Sequence, residues 1–578
     1  MDNVKVNTRK AAILTVGIIT ALIGLYRCFL GVDLSDEALY ISDPFFVAHG
    51  AVPYVSNWLQ TPGFSFFLAP VVAFYELFAP SHEGIFLFMR LFFLVVKWLL
   101  YFGICFLSRN TQYKYAVRLI SLPVTLNFFG MLPSFNYTNI PLMGLFLAGV
   151  LLLDQWYSKT KREIRFLPYV NGMILACITL CSPTQILNCL IFAGFYYFFI
   201  GKRACRQYVV GGLGTALFFT LYMVAKAGSI PAFMHSLDVF LQHPYFTFGS
   251  STLTWQAYNI LPMAVEEMIP YVICILLLEL VRRLAVKKYT VIWSVKSGVA
   301  AGAFVGMLIT LFRYNQFALW NRAVILLSIG SFFFRFVSGS KGLNRLFDFI
   351  AVPEMAAFFG MALTVYGGVA NRFYVFVPMA LICLMYIYDI LKEQIGDKSF
   401  YLSVGYVSLF LVITFQYEMQ TIYGEFMEGR YVSVSTMTSR VQDGVYAGLF
   451  TSEEKAEALP ELERYLRTKT KEEESVLFMD RAPMAYLMTG AAPCSPTSWD
   501  PVLYTEGKRE NIIMLEEYFA LAGKTPDKII YIQTEQDRQL SIEQEDYALS
   551  RYVAQNYEVK EETVIEDLYR VLIYSKNG

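Results

Sequence analysis

The sequence predicts a polytopic α-helical membrane protein that ends in a small extracytoplasmic α/β domain. Three observations predict it. Apolar runs of about 18 residues or more recur up to residue 417, in a 578-residue chain that is 56% hydrophobic and 16% charged. Lysine and arginine gather in every second connection between those runs. Beyond residue 417 the chain is rich in Glu and Lys, and short apolar runs replace the long ones.

A window of about 20 residues, enough to cross ~30 Å of hydrocarbon, predicts about thirteen spans. They cover 11–30, 85–107, 115–132, 138–155, 166–182, 185–200, 207–226, 263–281, 290–311, 318–336, 347–367, 374–391 and 401–417. Lys5, Arg9 and Lys10 precede the first run as in a signal peptide. A small-residue cleavage site is lacking and further spans follow, so the run reads as a retained helix.

Orientation follows from the basic connections. Lys5/Arg9/Lys10, Arg109/Lys114/Arg118, Lys159/Lys161/Arg162/Arg165 and Lys202/Arg203/Arg206 alternate with connections that hold almost no positive charge. Arg282/Arg283/Lys287/Lys288, Arg335/Lys341/Arg345 and Lys392/Lys398 continue the series; Lys226, Arg313, Arg322 and Arg372 are isolated exceptions. The positive-inside rule then predicts a cytoplasmic N-terminus, and an odd number of spans an outer C-terminus. The expected organisation is a multi-pass cell-membrane domain, 1–417, with a first outer loop at 31–84, and an extracytoplasmic domain at 418–578. All four histidines, His49, His82, His235 and His243, fall in outer loops.

In the tail, apolar runs at 476–480, 529–533 and 569–575 predict strands, and TSEEKAEALPELERYL at 451–466 predicts a helix. Thr451 and Glu454 have capping-box spacing there, and Pro460 predicts a kink or a split. A formal net charge of zero carries no nucleic-acid signature. The nine cysteines show no metal-ligand spacing with histidines.

Chemistry concentrates in LSDEALYISDPFFVAHGAVPY, residues 34–54, where Asp36, Glu37 and Asp43 follow directly on a span. Carboxylates beside hydrocarbon need water, a partner or a task. Asp36 and Glu37 suit the first turn of an interfacial helix starting at Ser35. They also suit catalysis. Other expected outer segments carry Tyr40, Asn136 and Tyr137, His243, Arg313 and Arg322, and Arg372. A carboxylate beside an outward arginine meets the needs of sugar transfer from a lipid phosphate. The carboxylate takes the proton of an attacking hydroxyl, the sugar passes through an oxocarbenium-like state, and a guanidinium holds the departing phosphate. Arg313 and Arg322 also suit interface anchors. Gly211, Gly212 and Gly214 lie in an apolar span, where small residues predict close helix packing.

The chain resembles the integral-membrane glycosyltransferases of the GT-C fold, especially bacterial relatives of dolichyl-phosphate-mannose protein mannosyltransferases and of lipid A aminoarabinose transferase. The resemblance rests on D36-E37-x-x-Y40, G50-x-x-P53-Y54, T61-P62-G63, M89-R90-L91, and N371-R372-F373-Y374 followed by Pro378. It covers roughly 11–417. It departs at Thr61, where aminoarabinose-transferase-like members often carry lysine, and at Asn136, Tyr137 and Asn139, where the family often supplies another acid. The resemblance implies that Asp36 is the catalytic base, with Glu37 supporting it or helping to bind a divalent cation, which the sequence itself does not require. It implies that Arg372 holds the polyprenyl-phosphate of the sugar donor, with Tyr40 and Asp43 nearby, and that the acceptor is a glycan, lipid or protein at the outer face. The rival readings are a transporter or flippase of lipid-linked glycans, and a polymerase or ligase of them. A flippase predicts related halves and charges in mid-span; most charges here sit at span ends, Glu354 and the Glu266–Glu267 pair being the nearest exceptions.

Overall fold

The computed structural model describes residues 2–577 except 60, 110–112, 127–132, 158–165, 242–249, 285–288, 314–316, 365–372, 421, 423–431, 472–473, 480–481, 492–493, 496, 499–517, 521–524 and 535–547. Only the backbone is described at 2–5, 239, 250–260, 317–318, 361–364, 373, 534 and 548–551. The first half holds α1 (Asp2–Cys28), α2 (Asp36–Ala48), α3 (Gly63–Glu76), α4 (Ile85–Leu107), α5 (Lys114–Ile120), α6 (Asn139–Tyr157), α7 (Leu167–Cys181), α8 (Ile186–Phe195) and α9 (Lys202–Ala227). Then follow α10 (Ile230–Leu241), α11 (Ser250–Leu284), α12 (Val291–Arg313), α13 (Phe317–Val337), α14 (Lys341–Thr364), α15 (Val377–Ile395) and α16 (Ser399–Gln420).

The protein is a polytopic α-helical membrane protein. Among the described residues, eight helical stretches are long and apolar enough to cross a bilayer: Val6–Cys28, Ile85–Leu107, Asn139–Tyr157, Pro183–Ile200, Lys202–Ala227, Val291–Arg313, Leu319–Val337 and Tyr374–Gln420. The last contains both α15 and α16, divided at Gly396, whose φ of +59° suits glycine. Leu99, Phe102, Leu213, Leu217 and Leu277 point outward from α4, α9 and α11, as a lipid solvent allows.

Four other expected spans fall outside those eight stretches. The segment 115–132 is not one helix: α5 ends at Ile120 and a 3₁₀ turn, Leu122–Thr125, follows. Pro123 has no N–H to continue an α-helix there. The span expected at 166–182 is α7, 15 residues long, or about 22 Å at 1.5 Å per residue. The span expected at 263–281 lies in α11 and carries Glu266, Glu267 and Glu279; that at 347–367 overlaps α14, with Asp348 and Glu354. Lys97, deep within α4, is a buried mid-span charge missing from the exceptions expected above.

Close packing at the glycines of α9 is present. A Cβ on Gly211 would stand 2.3 Å from the Tyr169 carbonyl oxygen, and one on Gly172 of α7 2.1 Å from that of Tyr208. Gly214 faces open space.

The tail is a mixed α/β region. Short strands β1 (Ser439–Arg440) and β2 (Phe450–Thr451) pair antiparallel. Beyond them come α17 (Glu453–Lys469), β3 (Val476–Met479), α18 (Met484–Thr489), β4 (Lys528–Thr534), a helix Ala548–Asn556, β5 (Tyr557–Ile565) and β6 (Tyr569–Lys576). The four-stranded sheet has the order β3-β4-β6-β5, parallel between β3 and β4 and antiparallel elsewhere. β3, β4 and β6 match the expected strands. β5 is absent from the expected strands: in YEVKEETVI five of the nine residues are exposed and four are charged, which suits a protected sheet edge. The capping-box reading of Thr451 is corrected. Thr451 pairs in β2, and Ser452 caps α17 by accepting from the Lys455 N–H at 3.5 Å. The helix runs through Pro460 unsplit.

One apolar core runs from the bundle into the tail, joining Phe46, Phe86 and Met89 to Tyr446, Leu462, Phe478 and Tyr486. His82 in the first loop sits between the two parts, its ring nitrogens 3.0 Å from Leu487 O and 2.8 Å from Glu76 Oε1. The tail and the loop after α1 therefore share one end of the bundle. At the other end of α1, Arg9 pairs with Asp397 of the α15–α16 connection at 2.8 Å.

Candidate functional site

The acidic stretch forms α2, and its start is built by Asp33. Asp33 Oδ1 accepts from the N–H groups of Ser35 (2.8 Å) and Asp36 (3.1 Å), and Oδ2 from that of Glu37 (3.3 Å). This satisfies the open donors of the first turn. Ser35 itself makes no side-chain cap, and its hydroxyl is buried without a partner. Burial, then the charges of Asp36 and Glu37, push the Asp33 carboxyl well above the usual carboxylate range.

Glu37 is locked by Arg90 of α4. Arg90 Nε donates to Glu37 Oε1 at 2.7 Å and Nη2 to Oε2 at 2.5 Å. Its remaining N–H groups reach the carbonyls of Cys28, Leu30 and Gly31 at 3.0–3.1 Å. Both carboxylate oxygens and the whole guanidinium fork are thus engaged, out of water. Glu37 does not fit a cation ligand in this geometry. Among the described residues, no group of three or more His, Cys, Asp or Glu side chains is placed to hold a metal ion.

Asp36, Tyr40 and Asp43 stand at i, i+4 and i+7 of α2, which puts them on one stripe, roughly 10 Å long. Asp36 is half-buried at its head. Tyr40 packs edge-on against Phe64 and Tyr137, both at 5.8 Å between ring centres. Burial, and after it the nearby Asp36 charge and the phenols of Tyr137 and Tyr374, raise the Tyr40 phenol well above its ordinary value. Three segments far apart in sequence therefore converge here: α2, the turn before α6, and the segment leading into α15. Arg372 and His243 lie outside the described residues; Tyr374 is two positions beyond Arg372.

The chain matches no family model and no curated protein.

Asp43 belongs to the interior rather than to an open site. Its Oδ2 accepts from Asn57 Nδ2 at 2.9 Å and from the Ser65 hydroxyl, while Oδ1 is buried without a partner. Burial outweighs those two hydrogen bonds and raises its pKa to about 6. G50-x-x-P53-Y54 forms the turn before Asn57, and the Tyr54 hydroxyl donates to Leu180 O at 2.7 Å. At Gly63 of T61-P62-G63 an added Cβ would lie 2.1 Å from the same oxygen. Glycine lets α3 reach the end of α7.

Asn136 serves its own helix: its side-chain oxygen accepts from the N–H groups of Thr138 (2.9 Å) and Asn139 (2.7 Å) at the start of α6. Arg322 joins a separate cluster on α11 and α13, 2.8 Å from Glu266 and 3.3 Å from Glu267. That answers the two mid-chain acids. Arg313 is exposed at the end of α12.

Sequence reasoning missed Asp33 and the charges beneath α2. Arg27 is buried, donating to Leu30 O at 2.9 Å, with its Nε unpartnered. Lys97 Nζ donates to Leu126 O at 2.9 Å, and buried Glu418 acts electrostatically on both cations. A small recess beside them is lined by Arg27, Gly31, Asp33, Glu37, Arg90 and Pro133. The available signal was a lysine at the centre of an apolar run, which demands a buried partner.

Proposed function

We propose that this chain is an inverting membrane glycosyltransferase of the GT-C type, moving a sugar from a polyprenyl-phosphate donor to a hydroxyl acceptor at the outer membrane face. The observation that carries the reading is that Asp36, Tyr137 and Tyr374 all lie around Tyr40, because Tyr374 follows Arg372 by two residues in sequence. Asp36 supplies the half-buried carboxylate that the transfer needs, and the sequence adjoining Tyr374 carries the arginine that would meet the phosphate. Asp36 accepts the proton of the acceptor hydroxyl as its oxygen bonds to the anomeric carbon. The bond from that carbon to the phosphate oxygen breaks, its electron pair leaves with the phosphate, and Arg372 offsets the charge gained there. Glu37, held by Arg90, supports the helix that presents Asp36.

The test is transfer from a radiolabelled polyprenyl-phosphate sugar by purified protein in lipid nanodiscs, beside direct donor binding. The expected result is turnover by wild type and its loss in Asp36→Asn with donor binding kept. Wild-type turnover in Asp36→Asn and in Glu37→Gln overturns the mechanism. A transport reading draws on Lys97 and Glu354, buried charges within α4 and α14. Donor flux across vesicles without covalent transfer favours it.

A further inference from the structure

We propose that the tail is a positioning element of the acidic site, acting on α2 through Tyr446 and Phe450. The connection from α1 to α2 has its backbone groups held from two sides. Arg90 takes the carbonyls of Cys28, Leu30 and Gly31 from within the bundle. The tail takes what remains: Phe450 N donates to Phe29 O at 2.8 Å and Gly31 N to Phe450 O at 2.9 Å. Tyr446, buried with its ring centre 4.1 Å from that of Phe86, donates its hydroxyl to the main-chain carbonyl of Asp33 at 3.0 Å.

The contact with Asp33 matters most, because that residue's side chain caps α2 and receives the N–H of Asp36. Tyr446 holds the carbonyl while the carboxylate holds the helix. Gly84 N and Phe86 N donate to Gly444 O (2.9 Å) and Val445 O (3.4 Å), so one tail segment grips both ends of the 31–84 loop. An undocked tail would leave the Phe29–Gly31 backbone and the Asp33 carbonyl short of partners and free Asp36 to wander. The claim that this changes reactivity rests on the glycosyltransferase reading of Asp36; the claim that it holds the cap does not.

The experiment uses the full chain in nanodiscs, with Tyr446→Phe and Tyr446→Ala. Hydrogen–deuterium exchange is followed at the amides of Ser35, Asp36 and Glu37. Loss of one hydrogen bond of ordinary strength predicts roughly 5-fold faster exchange in Tyr446→Phe, and a larger rise in Tyr446→Ala. In the transfer assay the turnover number falls while donor binding holds, and the phenylalanine variant keeps more activity than the alanine one. Unchanged exchange at 35–37 in both variants overturns the clamp. Faster exchange with wild-type turnover overturns its coupling to Asp36. If wild type transfers nothing, the functional reading fails and the exchange result alone decides the clamp.

Discussion

Arg90 grips Glu37 with both arms of its guanidinium, at 2.7 and 2.5 Å, and directs its other N–H groups to three carbonyls at and just beyond the end of α1, those of Cys28, Leu30 and Gly31. One side chain thus ties the second long helix to the end of the first and to the start of α2. The pair is fully buried, so its value lies in geometry: a buried ion pair adds little net stability, yet losing one partner strands the other charge.

Breaking the pair should therefore destabilise strongly. Glu37→Gln and Arg90→Gln are each expected to lower stability by about 3–5 kcal/mol. Arg90→Lys should recover only part, because an ammonium cannot serve Glu37 and three carbonyls at once. Thermal unfolding of the purified variants in nanodiscs checks this; equal midpoints for wild type and Arg90→Gln would contradict it.

Gly63→Ala places a methyl 2.1 Å from the Leu180 carbonyl oxygen. Backbone cannot swing aside as a side chain can, so a loss of about 1–3 kcal/mol is expected. Gly214→Ala has nothing within 4 Å and serves as the control, near neutral or slightly stabilising in its helix. The same unfolding assay compares the two.

Asp43 should make stability depend on pH. Burial raises its folded pKa to about 6 from an ordinary value of 3.8. Below about pH 4 the folded and unfolded chains both hold the proton, and the buried acid is fully tolerated. Between about pH 4 and 6 the unfolded chain releases the proton first, so stability falls as pH rises, by roughly 3 kcal/mol in all. Asp43→Asn keeps an oxygen for Asn57 and Ser65 but does not titrate. Its stability relative to wild type should rise across that window and level off above it; a flat difference would count against the burial argument.

For catalysis, Asp36→Asn should reduce turnover by ~10²–10⁴-fold, the usual range for a lost general base. Arg372→Ala should weaken donor binding by roughly 10- to 150-fold, the equivalent of a charge-assisted contact of ~1.5–3 kcal/mol. Arg372→Lys should restore only part of it. Turnover and donor affinity, measured separately, distinguish the two roles.

Orientation is checked by labelling single cysteines in a cysteine-free background with a membrane-impermeant reagent on intact cells. Lys576→Cys in the tail is expected to react and Lys159→Cys in a basic connection to stay protected. The reverse pattern would move both the tail and the acidic site to the cytoplasmic side.

The sequence by itself determined the membrane class, most of the long helices, and the strands β3, β4 and β6. These follow from local apolar content and period, which a chain carries whatever its partners. It also marked the segments around Asp36, Tyr137 and Tyr374, because polar groups next to a span are conspicuous. Tertiary structure alone decided what each carboxylate does. Glu37 and Asp36 are neighbours in sequence, yet one is consumed by Arg90, 53 positions away, and the other stays half-exposed. Asp33 attracted no notice in sequence, although its three backbone contacts start α2. β5 was hidden because an edge strand is charged and takes its register from β6, and the tail's grip on Phe29–Asp33 depends on backbone groups that every residue shares. Hydrogen bonds to main chain leave no mark on side-chain identity, and burial of a charge is set by its neighbours in space.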